Sequence, residues 1–254
     1  MRQPETNVRV LHLAETPSTN LDAMARAIAG EVTPFWVMAD RQTAGKGRSG
    51  RAWGSLPGNL HTSVAHRFSC DQSHAAQLSL VAGVAIIDAV RALATDQPDA
   101  NINMVRLKWP NDIMVGDAKL GGILIETTSD FARGGLVCVI GFGLNVVSCP
   151  DMDRKLAHLQ QLGLVVTAER VQTALSVALA DALDVWNEGF GFATIRARWL
   201  DAGLAQGTGI VVNAGNGVAS GVFAGLDDGG ALLMRDAAGR VAKFTFGDVT
   251  LKSD

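Results

Sequence analysis

The chain has 254 residues, is 48% hydrophobic and 19% charged, and carries a formal net charge of −3. That composition belongs to an ordinary globular protein with material for one large domain, or a main domain plus a small one. The mild acidity excludes an extended nucleic-acid-binding face, which needs a broad basic surface.

In chain order, Val8–Leu13 reads as a short strand. Ser18 or Thr19 then caps a helix whose apolar positions are Leu21, Met24, Ala25 and Ile28 and which ends at Gly30. Phe35–Ala39 is a buried strand, Leu60–Phe68 another, and Ala75–Ala94 a largely buried helix. Three strands are expected at Val105–Trp109, Lys119–Thr127 and Leu136–Val147, followed by helices over 152–162, 167–189 and Ala193–Leu200. Strands this numerous with few long helices predict an α/β (α+β) fold, a mixed sheet with helices packed on it. The texture changes near Gly207: short strands alternate with turn signals at Asn213–Gly217, Asp227–Gly230 and Ala237–Arg240, as in a small all-β barrel or sandwich. A boundary at residue 206 divides the chain into domains 1–206 and 207–254.

Cys70, Cys138 and Cys149 have no C-x-x-C spacing, which argues against a zinc site or a disulfide framework and for a reducing compartment. The N-terminus lacks a signal-peptide pattern and no run reaches about 18 apolar residues. A cytoplasmic protein with neither membrane nor nucleic-acid partners is expected.

The chemistry concentrates in Arg41–Trp53. Arg41, Lys46, Arg48 and Arg51 put four cations into eleven residues without an acid, interleaved with Gly45, Gly47 and Gly50. Glycines let a backbone approach a ligand closely, and Lys and Arg add charge-assisted bonds of about 1.5–3 kcal/mol each, so a small phosphorylated ligand is indicated. Gly45–Gly50 spells G-x-G-x-x-G, but Gly54, Pro57 and Gly58 break the helix that a dinucleotide site needs. A P-loop fails as well, with Asp40 in place of its first glycine and Gly47 in place of its Ser or Thr. Further on, Lys108-Trp-Pro-Asn-Asp112 ends one strand and Lys119-Leu-Gly-Gly122 begins the next after a turn at Gly116-Asp117. Pro110-Asn-Asp is a turn by composition, while Asp112 can ligate magnesium and Asn111 can serve a phosphate or a metal-bound water. An inward Lys119 needs an anionic partner, and Gly121-Gly122 leaves room for a ligand against the strand. Ser18-Thr19-Asn20 can cap a helix and bind a polar group at once. The five histidines show no metal spacing, and Trp36, Trp186 and Trp199 are expected in the core.

Ser18-Thr-Asn20, Gln42-x-x-Gly-Lys-Gly-Arg-x-Gly-Arg-x-Trp53, Lys108-Trp-Pro-Asn-Asp112, Lys119-Leu-x-Gly-Ile123 and Gly141-x-Gly-x-Asn145 together resemble the biotin protein ligases, in the family's order and over nearly the whole chain. The resemblance implies a catalytic domain related to class II aminoacyl-tRNA synthetases and a small SH3-like C-terminal barrel. It also implies two half-reactions: biotin and Mg²⁺–ATP give biotinyl-5′-AMP and pyrophosphate, and a lysine of a biotin carboxyl carrier domain then takes the biotinyl group and releases AMP. Carried over by position, Lys119, Arg48 and Asp112 are catalytic. Ser18, Thr19, Asn20, Gln42, Gly45, Lys46, Gly47, Arg48, Trp53, Lys119 and Gly122 bind biotin. Arg48, Arg51, Trp53, Asn111, Asp112, Lys119 and Asn145 bind ATP or the adenylate, with Asp112 as the magnesium ligand. The acceptor amine, with a pKa near 10.4, must lose a proton, and Asp112 is the suggested acceptor. Some relatives carry arginine at the Lys46 position and a second basic residue at Ser49, so this loop is the less basic one. Only 17 residues precede Ser18, too few for the winged-helix domain of bifunctional members, so a monofunctional ligase without repressor activity is expected, as a monomer or weak homodimer. The rivals are a lipoate or octanoate ligase or transferase, which would lack this set of polar ring-binding residues, and a non-enzymatic biotin sensor.

Overall fold

The computed structural model describes residues 8–130, 134–215 and 217–252. Asn216 in the expected turn, and residues 1–7 and 253–254 of the expected domains, lie outside the described residues.

The chain runs β1 (Val10–Thr16), α1 (Thr19–Ile28), β2 (Phe35–Gln42), β3 (Leu60–Phe68), α2 (Gln72–Ala75), α3 (Leu78–Ala94), β4 (Val105–Lys108), β5 (Asp112–Val115), β6 (Ala118–Ser129), β7 (Leu136–Leu144), α4 (Ala168–Trp186), α5 (Phe192–Ala202), β8 (Gly209–Asn213), β9 (Val218–Leu226), β10 (Leu232–Arg235), β11 (Val241–Phe244) and β12 (Asp248–Leu251). The first seven strands form one mixed sheet, ordered β1-β2-β3-β7-β6-β5-β4. β1 and β2 are parallel and the remaining neighbours antiparallel. The last five form an antiparallel sheet ordered β11-β10-β9-β8-β12.

The run Phe35–Ala39 is wholly buried because the sheet is covered on both faces. Phe35 and Val37 join Ala65, Val137 and Val139 beneath α1, whereas Trp36 and Met38 face the larger core that α3, α4 and α5 complete. α3 is apolar nearly all round for the same reason, with the sheet on one side and α4 and α5 on the other. The segment Gln72–Ala94 is long and apolar enough to cross a membrane by composition, but most of it is buried in this core. Trp36, Trp186 and Trp199 are core residues, as expected.

Two sequence expectations fail. Residues 112–115 form a strand, so Lys108–Asp112 is the tip of one hairpin and Gly116-Asp117 the tip of the next. Residues 152–162 are not a helix. Their leucines have helical spacing, but the backbone is drawn elsewhere: Lys119 N–H donates to Lys155 O at 3.0 Å and Ala157 N–H to Lys119 O at 2.9 Å, leaving only a 3₁₀ turn at Leu159–Leu162.

Candidate functional site

Beyond the N-terminus of α1 the covered face of the sheet is bare, and a pocket opens there. Register aligns Ser63, Gly141 and Leu124 across β3, β7 and β6, and His61, Gly143 and Gly122 in the next row. The glycines make this floor. A Cβ on Gly141 would lie 2.1 Å from Asn20 Oδ1, and one on Gly143 2.4 Å from the Trp53 ring, so any larger residue would push both side chains off the sheet.

One end of the pocket is polar and buried. Ser18 caps α1, its Oγ 3.5 Å from the Leu21 N–H that it accepts. Thr19 N–H donates to Gln42 Oε1 at 2.9 Å, and Thr19 Oγ1 lies 3.1 Å from the same atom. Asn20 donates through Nδ2 to Glu126 Oε2 at 2.7 Å.

The basic loop closes the opposite end. Gly47 N–H donates to Arg51 O at 2.7 Å and Trp53 N–H to Gly45 O at 2.9 Å, folding residues 45–53 back on themselves. Both terminal nitrogens of Arg48 reach Gly247 O at 3.2 Å, and Nη1 also donates to Asn111 Oδ1 at 3.3 Å. Arg51 donates to Asp248 Oδ1 at 2.9 Å. The second sheet therefore anchors the loop: β12 begins at Asp248 and also presents Val249 O to Lys108 Nζ at 2.8 Å.

Between these ends lies a cluster of three charges. Asp112 Oδ1 pairs with Lys119 and Oδ2 with Lys108 at 3.0 Å, and all three side chains are less than a fifth exposed. The Lys119 expectation of an anionic partner is met by Asp112. A β-bulge between Ile113 and Met114 in the β5–β6 pairing turns Lys119 into the pocket beside Gly122, 5.6 Å from the centroid of Trp53. Burial alone would raise the Asp112 carboxyl, but Lys119 and Lys108 override it and hold the group below its ordinary 3.8. Burial lowers Lys119, and the pull of Asp112 in the other direction does not restore it. Desolvation thus presses on both partners, and the cluster stays charged because each member lies against an opposite charge.

Of the residues singled out by sequence, Ser18, Thr19, Asn20, Gln42, Lys46, Gly47, Arg48, Arg51, Trp53, Asn111, Asp112, Lys119 and Gly122 all line this pocket. Gly45 and Asn145 do not. Gly45 packs behind Gln42 and Trp53, where a Cβ would meet Gln42 Nε2 at 3.0 Å. Asn145 is buried and holds the 157–159 segment, donating through Nδ2 to Ala157 O at 3.0 Å. Each Asp112 oxygen faces a lysine, and among the described residues no group of three His, Cys, Asp or Glu could cage a metal. Lys108 lies in a sequence motif that by itself assigns it no role, and it too lines the pocket. Sequence reasoning missed Arg154, Asp248, Val249 and Thr250, which also line the pocket. Arg154 sat in the segment misread as helix, and the β12 residues carry no local signal.

The sequence profile of the biotin/lipoate A/B protein ligase family matches residues 14–145. The chain is 34% identical over 238 residues to a biotin–[acetyl-CoA-carboxylase] ligase of Paracoccus denitrificans, covering 90% of this chain and 95% of that one. A Mycobacterium tuberculosis protein with the same description is 33% identical over 244 residues, 93% of this chain and 86% of its own. Among solved structures, a biotin protein ligase of Aquifex aeolicus in complex with biotin and ATP superposes with a TM-score of 0.76 at 25% identity, covering 97% of this chain and 99% of that one. A biotin protein ligase of Leishmania major in complex with biotinyl-5-AMP gives 0.60 at 26% identity, covering 93% and 98%.

Proposed function

Because the chain belongs to the biotin/lipoate A/B protein ligase family, we infer that its pocket joins biotin to ATP and passes the biotinyl group to a lysine of a carboxylase's biotin carboxyl carrier domain. One observation carries this reading: a polar end (buried Ser18, Thr19 and Asn20 with half-buried Gln42), a glycine floor and a cationic end (Lys119, Arg48, Arg51) succeed one another in a single pocket. The ureido ring of biotin suits the polar end. An aliphatic acyl chain would bring no hydrogen-bonding group to that end, which disfavours the lipoate alternative.

In the first half-reaction a biotin carboxylate oxygen attacks the α-phosphorus of ATP, and pyrophosphate leaves. Two anions must meet, and their repulsion grows toward the transition state. Lys119, between the polar and cationic ends of the pocket, would meet the carboxylate and α-phosphate, and Arg48 and Arg51 would face the phosphates, offsetting that charge from fixed positions. Lys46 and Gly47 close over the ligand and Trp53 forms the wall on which it lies. Magnesium would enter with ATP as the Mg–ATP substrate and would neutralise charge on the phosphates. In the second half-reaction the neutral lysine amine attacks the anhydride carbonyl, AMP leaves with the bonding electrons, and the proton the amine sheds passes to the departing phosphate or to water. Both oxygens of Asp112 are committed to lysines, so Asp112 serves by holding Lys119 and Lys108 in place, not by taking the proton of the amine.

The reading extends to the sheet of residues 209–251, taken as an SH3-like barrel beginning near residue 207 that braces the basic loop. It extends also to a cytoplasmic protein, since Cys70, Cys138 and Cys149 are free thiols, acting as a monomer or weak dimer. ATP–pyrophosphate exchange with purified protein tests the core of it. Exchange supported by biotin and not by lipoate or octanoate is expected; exchange with an aliphatic acid alone would move the protein to the lipoate branch.

A further inference from the structure

Behind the polar end of the pocket runs a hydrogen-bond chain that reaches the surface. Ser63 Oγ, fully buried on β3, lies 2.7 Å from Thr19 Oγ1 and 2.6 Å from Asn20 Oδ1. Thr19 Oγ1 lies 3.1 Å from Gln42 Oε1. These three oxygen–oxygen contacts share two hydroxyl protons, those of Thr19 and Ser63.

The far end of the chain decides where the protons go. Asn20 Nδ2 donates to the Glu126 carboxylate at 2.7 Å and to Leu124 O at 3.4 Å, which turns Oδ1 toward Ser63. Two oxygens 2.6 Å apart without a proton between them repel, so the Ser63 proton goes to Asn20. The 2.7 Å contact then requires the Thr19 proton to go to Ser63. The 3.1 Å contact, the longest, is left without one, and Gln42 Oε1 is already satisfied by Thr19 N–H at 2.9 Å. The lone pairs of Thr19 Oγ1 are thereby offered to the pocket.

We propose that Glu126 is a positioning residue for ligand selection: acting through Asn20, Ser63 and Thr19, it sets the polar end of the pocket as hydrogen-bond acceptor and so selects a ligand that presents N–H groups there. The inference rests on the biotin reading, whose cyclic urea carries two such N–H groups. Glu126 itself is exposed and does not line the pocket, so it can be replaced without opening a cavity beside the ligand. A lysine at this position would draw Asn20 Oδ1 toward itself, turn Nδ2 toward Ser63 and reverse the chain, leaving Thr19 a donor. A glutamine can still present an oxygen to Asn20.

The test is ATP–pyrophosphate exchange with biotin and ATP varied separately. Glu126→Lys is expected to raise the KM for biotin at least tenfold, with kcat within threefold and the KM for ATP within twofold of the original protein. Glu126→Gln is expected to stay within twofold throughout. Should Glu126→Lys not fold, Ser63→Ala cuts the same chain in the middle and is expected to raise the biotin KM at least fivefold with the ATP KM unchanged. A biotin KM that Glu126→Lys leaves within twofold, a Glu126→Gln loss as large as the lysine's, or a parallel rise in both KM values would overturn the proposal. Absence of biotin-dependent exchange in the unmodified protein would instead overturn the ligase reading, a separate failure.

Discussion

Replacing Asp112 by asparagine keeps the shape and removes the one negative charge between two buried lysines. At 3.0 Å from Lys108, the gross attraction at an effective dielectric of about 20 is about 5.5 kcal/mol. Much of this is offset by desolvation, and breaking a buried pair costs about 3–5 kcal/mol in practice. The side chains here retain 14–18% exposure, which favours the lower end. A loss of about 3 kcal/mol corresponds to a Tm lower by about 6–12 °C for a chain of this size, and to about 150-fold in rate if it falls on the transition state. Two assays separate the roles: pyrophosphate exchange for adenylation, and single-turnover transfer from preformed biotinyl-AMP for acylation. Both are expected to fall by factors within threefold of each other, because both use the Lys119 that Asp112 holds. Transfer that collapses while exchange survives would falsify this reasoning and make Asp112 the proton acceptor. The stability effect has a fixed sign in pH. Because the folded-state pKa of Asp112 is depressed, its contribution is complete above the ordinary value of 3.8 and is lost as pH falls through the lower folded value. The Tm gap between the two proteins should therefore narrow only below about pH 4.

Two further outcomes are expected. Gly143→Ala places a methyl 2.4 Å from the Trp53 ring, so the ring must move by about 1 Å, a misplacement that costs on the order of 100-fold in exchange activity; wild-type activity would mean that the ring does not wall the ligand. Arg48→Gly removes the guanidinium that bridges Asn111 and Gly247. Losing charge-assisted bonds of about 1.5–3 kcal/mol each should let the adenylate escape, read as biotinylation of bystander lysines on an added unrelated protein. Strict selectivity for the carrier domain in that variant would show that Arg48 is not the residue that retains the adenylate.

Much of the pocket is legible in the sequence because its chemistry demands particular residue types. A lysine at the start of an apolar strand, glycines where side chains cross a sheet and a basic run without acids are informative wherever they fold. The cap at Ser18 and the doubly buried run Phe35–Ala39 are local signals of the same kind. What escapes is decided by partners distant in sequence. The leucines of 152–162 keep helical spacing, yet the edge of β6 takes that backbone as its neighbour. Four residues of β5 look like an extended turn until β4 and β6 flank them. Asn145 carries a ligand-like side chain, but its amide closes a neighbouring loop. Nothing in the composition near Asp248 announces that it will meet Arg51, a residue 197 positions earlier.

That long reach has a consequence for when the protein becomes active. The strands of the large sheet all precede residue 145 and leave the ribosome before the second sheet, and chains begin to fold as they emerge. Gly247, Asp248 and Val249, which hold Arg48, Arg51 and Lys108, are added only after every strand of the large sheet. A nascent chain can thus assemble the sheet that carries the pocket floor while the guanidinium groups that would grip a nucleotide are still unanchored. Synthesis of β12 supplies that brace, so the grip on a nucleotide comes later than the sheet that carries the pocket floor.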